Sequence, residues 1–148
     1  MKLDFTLNGA PVSVEAAPDR RLLAILREDF DLLGAREGCG IGRCGACLVL
    51  LDGAPVNACL VLAARLAGRA VVTVEGLGAA AAPVRDALAA GGAVQCGYCA
   101  PGLMVALSWL ARQPAGLAEG EAVTALAGQL CRCGGYRGTL RALAALRA

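Results

Sequence analysis

Eight cysteines stand in two groups of four, and the groups are spaced differently. Cys39, Cys44 and Cys47 fall within one short stretch, and Cys59 follows after eleven more residues. Cys96 and Cys99 form a close pair, answered much later in the chain by Cys131 and Cys133. There is no histidine. Soft-metal chemistry must therefore rest almost wholly on thiolates. Four thiolates are the ligand set of one iron–sulfur cluster, so the count points to two clusters in a chain of 148 residues.

The first group, Cys39-x4-Cys44-x2-Cys47 followed by Cys59, has the spacing of plant-type 2Fe–2S proteins. A compact cluster held by three ligands from one loop needs backbone that wraps it closely. The loop from Glu37 to Cys47 has glycine at 38, 40, 42 and 45. Missing Cβ atoms allow close approach and left-handed dihedrals. Amide N–H groups can then face the sulfurs and favour added negative charge. Zinc prefers two short cysteine pairs and fits this loop poorly. Arg43 either offsets cluster charge or is a solvated loop arginine.

In the second group, Gln95-Cys96-Gly97-Tyr98-Cys99-Ala100-Pro101-Gly102 precedes an expected helix. Cys131-Arg132-Cys133-Gly134-Gly135-Tyr136 follows another. Helix ends leave unpaired backbone groups, and the N-terminal end favours an anion. Spacing alone leaves both a 2Fe–2S cluster and a four-cysteine zinc site open here. Tyr98 and Tyr136 are expected to be core residues rather than shields over a cluster.

Alternation over residues 2–7, the Asn8-Gly9 turn and alternation over 12–15 predict a hairpin. Asp19 is placed to cap a helix over 20–30 with Leu22, Leu23, Leu26 and Phe30 on one face. Strands are expected over 47–51, 56–59 and 70–75, with a short helix over 60–66. The order describes a mixed α+β unit that resembles the β-grasp of plant-type ferredoxins. Strand signals then vanish, and helices are expected over 84–90, 102–112, 119–130 and 139–147. Leu103, Leu107 and Leu110 form one apolar stripe, and Val123, Leu126 and Leu130 another. The expected organisation is a ferredoxin-like domain over 1–76, a linker over 77–83 and an all-α four-helix bundle over 84–148.

Aromatics are only 3% of the chain, so the cores must be built largely from Ala, Leu and Val. Such cores bury little area per residue, and metal staples would help two domains this small. The formal charge of +2 is too small to argue for nucleic acid or an anionic membrane. It omits the thiolates; two oxidised clusters of about −2 each would bring it to about −2. The first fourteen residues have neither a basic segment before an apolar run nor a twin-arginine pair. A cytoplasmic, reducing location is expected, where disulfides are rare. Residues 87–111 carry no formal charge, a length that would span a bilayer. Their glycine pair, Gln95, Cys-x-x-Cys and Pro101 instead suit the interior of a globular domain.

The segments EGCGIGRCGACLV, QCGYCAPG and LCRCGGY, in this order, resemble the iron–sulfur subunit of the molybdenum hydroxylases, the xanthine dehydrogenase and carbon monoxide dehydrogenase family. The likeness runs from the Asn8-Gly9 hairpin to the last helix. It implies that Cys96, Cys99, Cys131 and Cys133 hold the 2Fe–2S cluster nearest the molybdenum cofactor. It implies that Cys39, Cys44, Cys47 and Cys59 hold the cluster nearer FAD or another acceptor. Gln95 falls where the family hydrogen-bonds the pterin, and Cys133 lies at the same contact; the plain alternative for Gln95 is a capping or satisfied buried amide. The resemblance implies as partners a large molybdopterin-binding subunit, together with an FAD-binding medium subunit or other acceptor. An obligate partner also suits the apolar composition.

Three positions depart from the family: Gln129 where Asn is frequent, and Ala100 and Gly134 where Thr is frequent. They bear on hydrogen bonding around the sites and leave the ligands intact. No nucleophile–base pair, Walker loop or dinucleotide fingerprint is present, so no catalytic residue is expected. The expected role is an electron relay. A free two-cluster ferredoxin and a zinc-stapled binding module are the alternatives.

Overall fold

A computed structural model describes residues 1–114 and 119–148. Strands β1 (Lys2–Leu7) and β2 (Ala10–Glu15) pair antiparallel through a turn in which Asn8 and Gly9 both take positive φ. That is the turn whose twist matches a two-residue hairpin. Helix α1 (Leu22–Glu28) follows, then a long loop. Strands β3 (Leu48–Leu51) and β4 (Ala54–Asn57) form a second hairpin around Asp52 and Gly53. Strand β5 (Ala70–Val72) enters between β1 and β3, parallel to the former and antiparallel to the latter. The sheet order is β2-β1-β5-β3-β4.

The second half is helical: α2 (Ala81–Ala90), α3 (Ala100–Ala111), α4 (Glu119–Leu126) and α5 (Tyr136–Arg147). Helices α2, α3 and α5 pack on one another, and α3 packs on β3. Five α-helices are described in all, one of them in the first half. No helix among the described residues is long and apolar enough to cross a membrane. The uncharged stretch over 87–111 ends in α3, where Leu103, Val105, Leu107 and Leu110 are all buried.

Two apolar cores share one wall. Leu3, Phe5, Leu22, Leu26, Val49 and Leu51 belong to the first core. Leu48 and Leu50 belong to the second, with Leu88, Leu103 and Leu107. All four residues of β3 are buried, because period-two alternation sends its side chains into both cores. Each fully buried Leu contributes about 1.5–3 kcal/mol, so this strand alone commits several kcal/mol to joining the halves. Phe5 and Phe30 add an edge-to-face contact with centroids 6.0 Å apart.

Several expectations are corrected, some of them by a tertiary contact. Asp19 is not the cap of α1. Arg21 holds that position without a side-chain bond. The free N–H groups of Leu22 and Leu23 instead donate to the Val61 and Ala58 carbonyls at 2.8 and 3.1 Å. Leu60 closes a turn on the Asn57 carbonyl and Leu62 is extended and bridged to Arg21, so only Ala63–Arg65 forms a 3-10 turn where a helix over 60–66 was expected. Strand β5 stops at Val72 because the fully buried Thr73 turns to Asn8. The Thr73 N–H donates to Asn8 Oδ1 at 2.9 Å, and Asn8 Nδ2 donates to Thr73 Oγ1 at 3.0 Å.

The stretch expected as linker carries a 3-10 turn over Gly78–Ala80, and α2 begins at Ala81 rather than at 84. Helix α4 ends at Leu126. Leu130 lies beyond it, half exposed, because its N–H donates to the Cys44 carbonyl. Val123 is exposed as well, so only Leu126 of the expected stripe is buried. Tyr98 and Tyr136 are 50% and 47% exposed and are not core residues.

The halves meet without intervening side chains where Gly102, in the first turn of α3, lies against Gly45. A Cβ at Gly102 would strike the Gly45 carbonyl oxygen. Gly45 has φ +74°, and a Cβ there would strike the buried amide of Gln129. Gly102→Ala is expected to lower stability by about 1–3 kcal/mol, because a backbone atom must move. Gly128→Ala, with open space around it, should stay within about 0.5 kcal/mol of the parent. Chemical denaturation of the two variants checks the contrast. Leu107→Ala, at a fully buried site, should cost about 2–5 kcal/mol by the same measurement.

Candidate metal centres

The first four cysteines converge because a loop and a hairpin end meet. Cys39 and Cys44 lie in the irregular loop, Cys47 directly precedes β3, and Cys59 lies two residues past β4. Asn57 Nδ2 donates to the Gly42 carbonyl at 3.1 Å and holds the loop on the hairpin. Its Oδ1 is buried and has no partner among the described residues. The loop turns its amides on Cys39: N–H groups of Ile41, Arg43 and Cys44 point at its Sγ at 3.5, 3.1 and 3.3 Å. The Cys39 N–H points in turn at Cys44 Sγ at 3.4 Å. Gly38 has no room for a side chain, since a Cβ would lie 2.6 Å from that sulfur. Arg43 itself is exposed and pairs with no carboxylate among the described residues.

The electrostatics of this set are uneven. The N–H groups of Ile41 and Arg43 pull the exposed Cys39 thiol down to about 6. Burial pushes the Cys47 thiol up to about 12, against a backbone N–H from Cys59. Cys47 and Cys59 are both buried, and their thiols are within hydrogen-bond reach of each other.

The second set forms at two helix ends. Cys99 is the residue before α3, and Cys131 and Cys133 lie in the turn before α5. The Tyr98 N–H points at Cys96 Sγ at 3.5 Å, and the Gly135 N–H at Cys131 Sγ at 3.2 Å. The Tyr98 amide and then the Cys133 thiol bring Cys96 below the ordinary thiol value. Burial pushes Cys99 up to about 11, and its contact with Cys131 adds to that. Burial opposes ionisation of Cys131 too, but N–H groups of Gly135 and Cys133 outweigh it and lower that thiol. The four thiols, with Ala93 and Gln95, line one shallow hollow. Gln95 is exposed, which excludes a buried amide, and its Nε2 donates to the Cys133 carbonyl at 3.4 Å.

In both sets the thiols meet in twos: Cys39 with Cys44 and Cys47 with Cys59, then Cys96 with Cys133 and Cys99 with Cys131. A binuclear cluster asks for this arrangement, because its four thiolates divide between two irons. Donor chemistry, amides aimed at sulfur and glycines without room for a Cβ all fit such a group at both sites.

Residues that the cysteine pattern does not mark join the two sites. The Leu130 N–H, next to Cys131, donates to the Cys44 carbonyl at 2.9 Å. Arg36 Nη1 donates to the Gly97 and Tyr98 carbonyls at 2.8 and 3.2 Å, with its Cζ 5.2 Å from the Tyr98 ring centre. The Tyr98 hydroxyl donates to the Glu37 carbonyl. Tyr136 accepts the Cys131 N–H on its hydroxyl at 2.9 Å. Arg36 gives no signal in the sequence, since its partners are backbone carbonyls some sixty residues away.

Comparison with known proteins agrees with this geometry. Residues 5–69 match the family described as 2Fe-2S iron-sulfur cluster binding domain, and residues 73–144 match [2Fe-2S] binding domain. The chain is 42% identical to the xanthine dehydrogenase iron-sulfur-binding subunit of Escherichia coli O157:H7, over 91% of this chain and 87% of that protein. It is 39% identical to the nicotinate dehydrogenase small FeS subunit of Eubacterium barkeri, over 90% of this chain and 87% of that one. Quinoline 2-oxidoreductase from Pseudomonas putida 86 superposes with a TM-score of 0.85 at 38% identity, covering 97% of this chain and 90% of that chain. Aldehyde oxidoreductase from Desulfovibrio desulfuricans superposes at 0.90 with 31% identity over 99% of this chain, which spans 17% of that longer one. With two 2Fe–2S-binding domains in one chain and relatives matched over most of their length, the protein belongs to the iron–sulfur subunits of the molybdenum hydroxylases and is the electron-transfer part of such an oxidoreductase.

Proposed function

We propose that Cys96, Cys99, Cys131 and Cys133 hold the 2Fe–2S cluster facing a large molybdopterin-binding subunit. Cys39, Cys44, Cys47 and Cys59 hold the cluster facing FAD in a medium subunit, or another acceptor. The observation that carries this reading is the 2.9 Å hydrogen bond from the Leu130 N–H to the Cys44 carbonyl. Through it a ligand of one set and the neighbour of a ligand of the other are in direct contact. A 2Fe–2S cluster supplies, when bound, a one-electron carrier. The chain's residues bind it, aim amides at its thiolates and fix the separation of the two sites through the Gly45–Gly102–Gln129 contact.

Gln95 and Cys133 are the contact to the pterin. Both are exposed at the same place, and Gln95 Nε2 spends one of its N–H groups on the Cys133 carbonyl. Its Oε1 accepts no hydrogen bond from the described residues, which leaves an acceptor and a donor for a heterocycle edge. We keep the division into a ferredoxin-like domain over 1–76, a linker over 77–83 and a four-helix bundle over 84–148, with α2 already begun inside the linker. A cytoplasmic location goes with eight cysteines kept as thiolate ligands and out of disulfides, which a reducing compartment favours.

The protein purified with its partners should be coloured and hold about four irons and four acid-labile sulfides per chain. It should show two distinct EPR signals on reduction and co-purify with a molybdenum-containing chain. A colourless protein holding zinc without iron would overturn the reading. Gln95→Ala should slow reduction of the clusters by substrate about tenfold while leaving chemical reduction by dithionite unchanged. Stopped-flow absorbance of the assembled enzyme separates the two.

A further inference from the structure

Arg36 sits at one end of a hydrogen-bond chain that finishes on a thiol of the other domain. Its backbone N–H is tied to the Ala46 carbonyl at 2.9 Å, inside the first cysteine loop. Its side chain reaches out of that loop to the Gly97 carbonyl at 2.8 Å. That carbonyl and the Tyr98 N–H are the two ends of one peptide group, and the Tyr98 N–H points at Cys96 Sγ at 3.5 Å. The sequence of contacts is guanidinium, carbonyl, amide, sulfur.

We propose that Arg36 is a positioning residue for the second site: it holds and polarises the Gly97–Tyr98 peptide so that its N–H stays aimed at Cys96. This rests on the assignment of Cys96 as a cluster ligand made above. Two observations and one general principle support it. Gly97 takes φ +79°, a left-handed conformation that a hydrogen bond to its carbonyl helps to hold. Arg36 is half-buried, and no carboxylate among the described residues neutralises it. A guanidinium on a carbonyl makes the amide at the far end of that peptide a stronger donor, because hydrogen bonds in a chain polarise one another. Arg132 and Arg43, the arginines inside the two cysteine runs, lie nearer the solvent and make no such bond among the described residues. Solvent screens them far more.

A stronger N–H donor on a thiolate favours the reduced, more negative state of the site it faces. The first domain thereby raises the electron affinity of the second site. A contact that only fastened the domains together would do the same through the Tyr98 hydroxyl on the Glu37 carbonyl, and that bond gives the control.

The test is an EPR-monitored redox titration of the assembled enzyme carrying Arg36→Met, Arg36→Lys or Tyr98→Phe. The second-site signal is identified as the one that Cys133→Ser alters. Arg36→Met should lower the equilibrium constant for reducing the second site about tenfold, ~59 mV for a one-electron couple. The first site should stay where it was. Arg36→Lys, which keeps a cation but not the planar guanidinium whose Nη1 reaches both carbonyls, should fall between parent and Arg36→Met. Tyr98→Phe should leave both potentials near the parent. An unchanged second potential in Arg36→Met with iron content intact would overturn the inference, and so would equal shifts at both sites. An equally large shift in Tyr98→Phe would overturn it in favour of simple domain fastening. Absence of iron from the parent would instead sink the cluster assignment itself.

Discussion

Strand β3 is the element on which both halves depend. A strand presents alternate residues to opposite faces, and in many antiparallel sheets one of those faces meets water. Here Val49 and Leu51 enter the core under α1, while Leu48 and Leu50 enter the core under α3. The second half therefore has no complete core without the first. The same strand positions both metal centres. Cys47 immediately precedes it, and α3, whose leading residue is Cys99, packs against it. Apolar burial in one four-residue segment thus becomes the geometry of two sites that share no ligand.

At each site the chain solves the same electrostatic problem in the same way. Four thiolates in one place repel one another, and burial alone would keep them protonated. Each set combines an exposed thiol under backbone N–H groups with a less exposed thiol that burial holds up: Cys39 against Cys47, and Cys96 against Cys99. The donors aimed at the Cys39, Cys44, Cys96 and Cys131 sulfurs are backbone amides.

Cysteine and glycine spacing made the two gatherings of thiols readable from the chain, because both are built from short runs whose covalent geometry leaves few choices. The hairpins were readable for the same reason: Asn8-Gly9 and Asp52-Gly53 are local signals. What the sequence did not reveal was decided between segments far apart. The start of α1 is held by carbonyls of residues 58 and 61, so Asp19 was not needed. Leu130 is drawn off the expected helix by Cys44. Tyr98 lies exposed because Arg36 and the Glu37 carbonyl hold it at the domain boundary. Glycine at 102 looked like an ordinary helix-start residue, and only the approach of the Gly45 carbonyl explains it.

The contact between Gly45, Gly102 and Gln129 has a kinetic meaning. Proteins that pass electrons between separately moving domains must wait for a productive encounter, and their turnover then follows viscosity and linker length. Here no side chain stands between the two backbones at Gly45 and Gly102, and the amide of Gln129 lies beside both. The distance between the sites is set when the chain folds and does not have to be found again at each turnover. With that separation fixed by the fold, transfer between the two sites needs no domain movement, and driving force and reorganisation energy are what remain to set its rate.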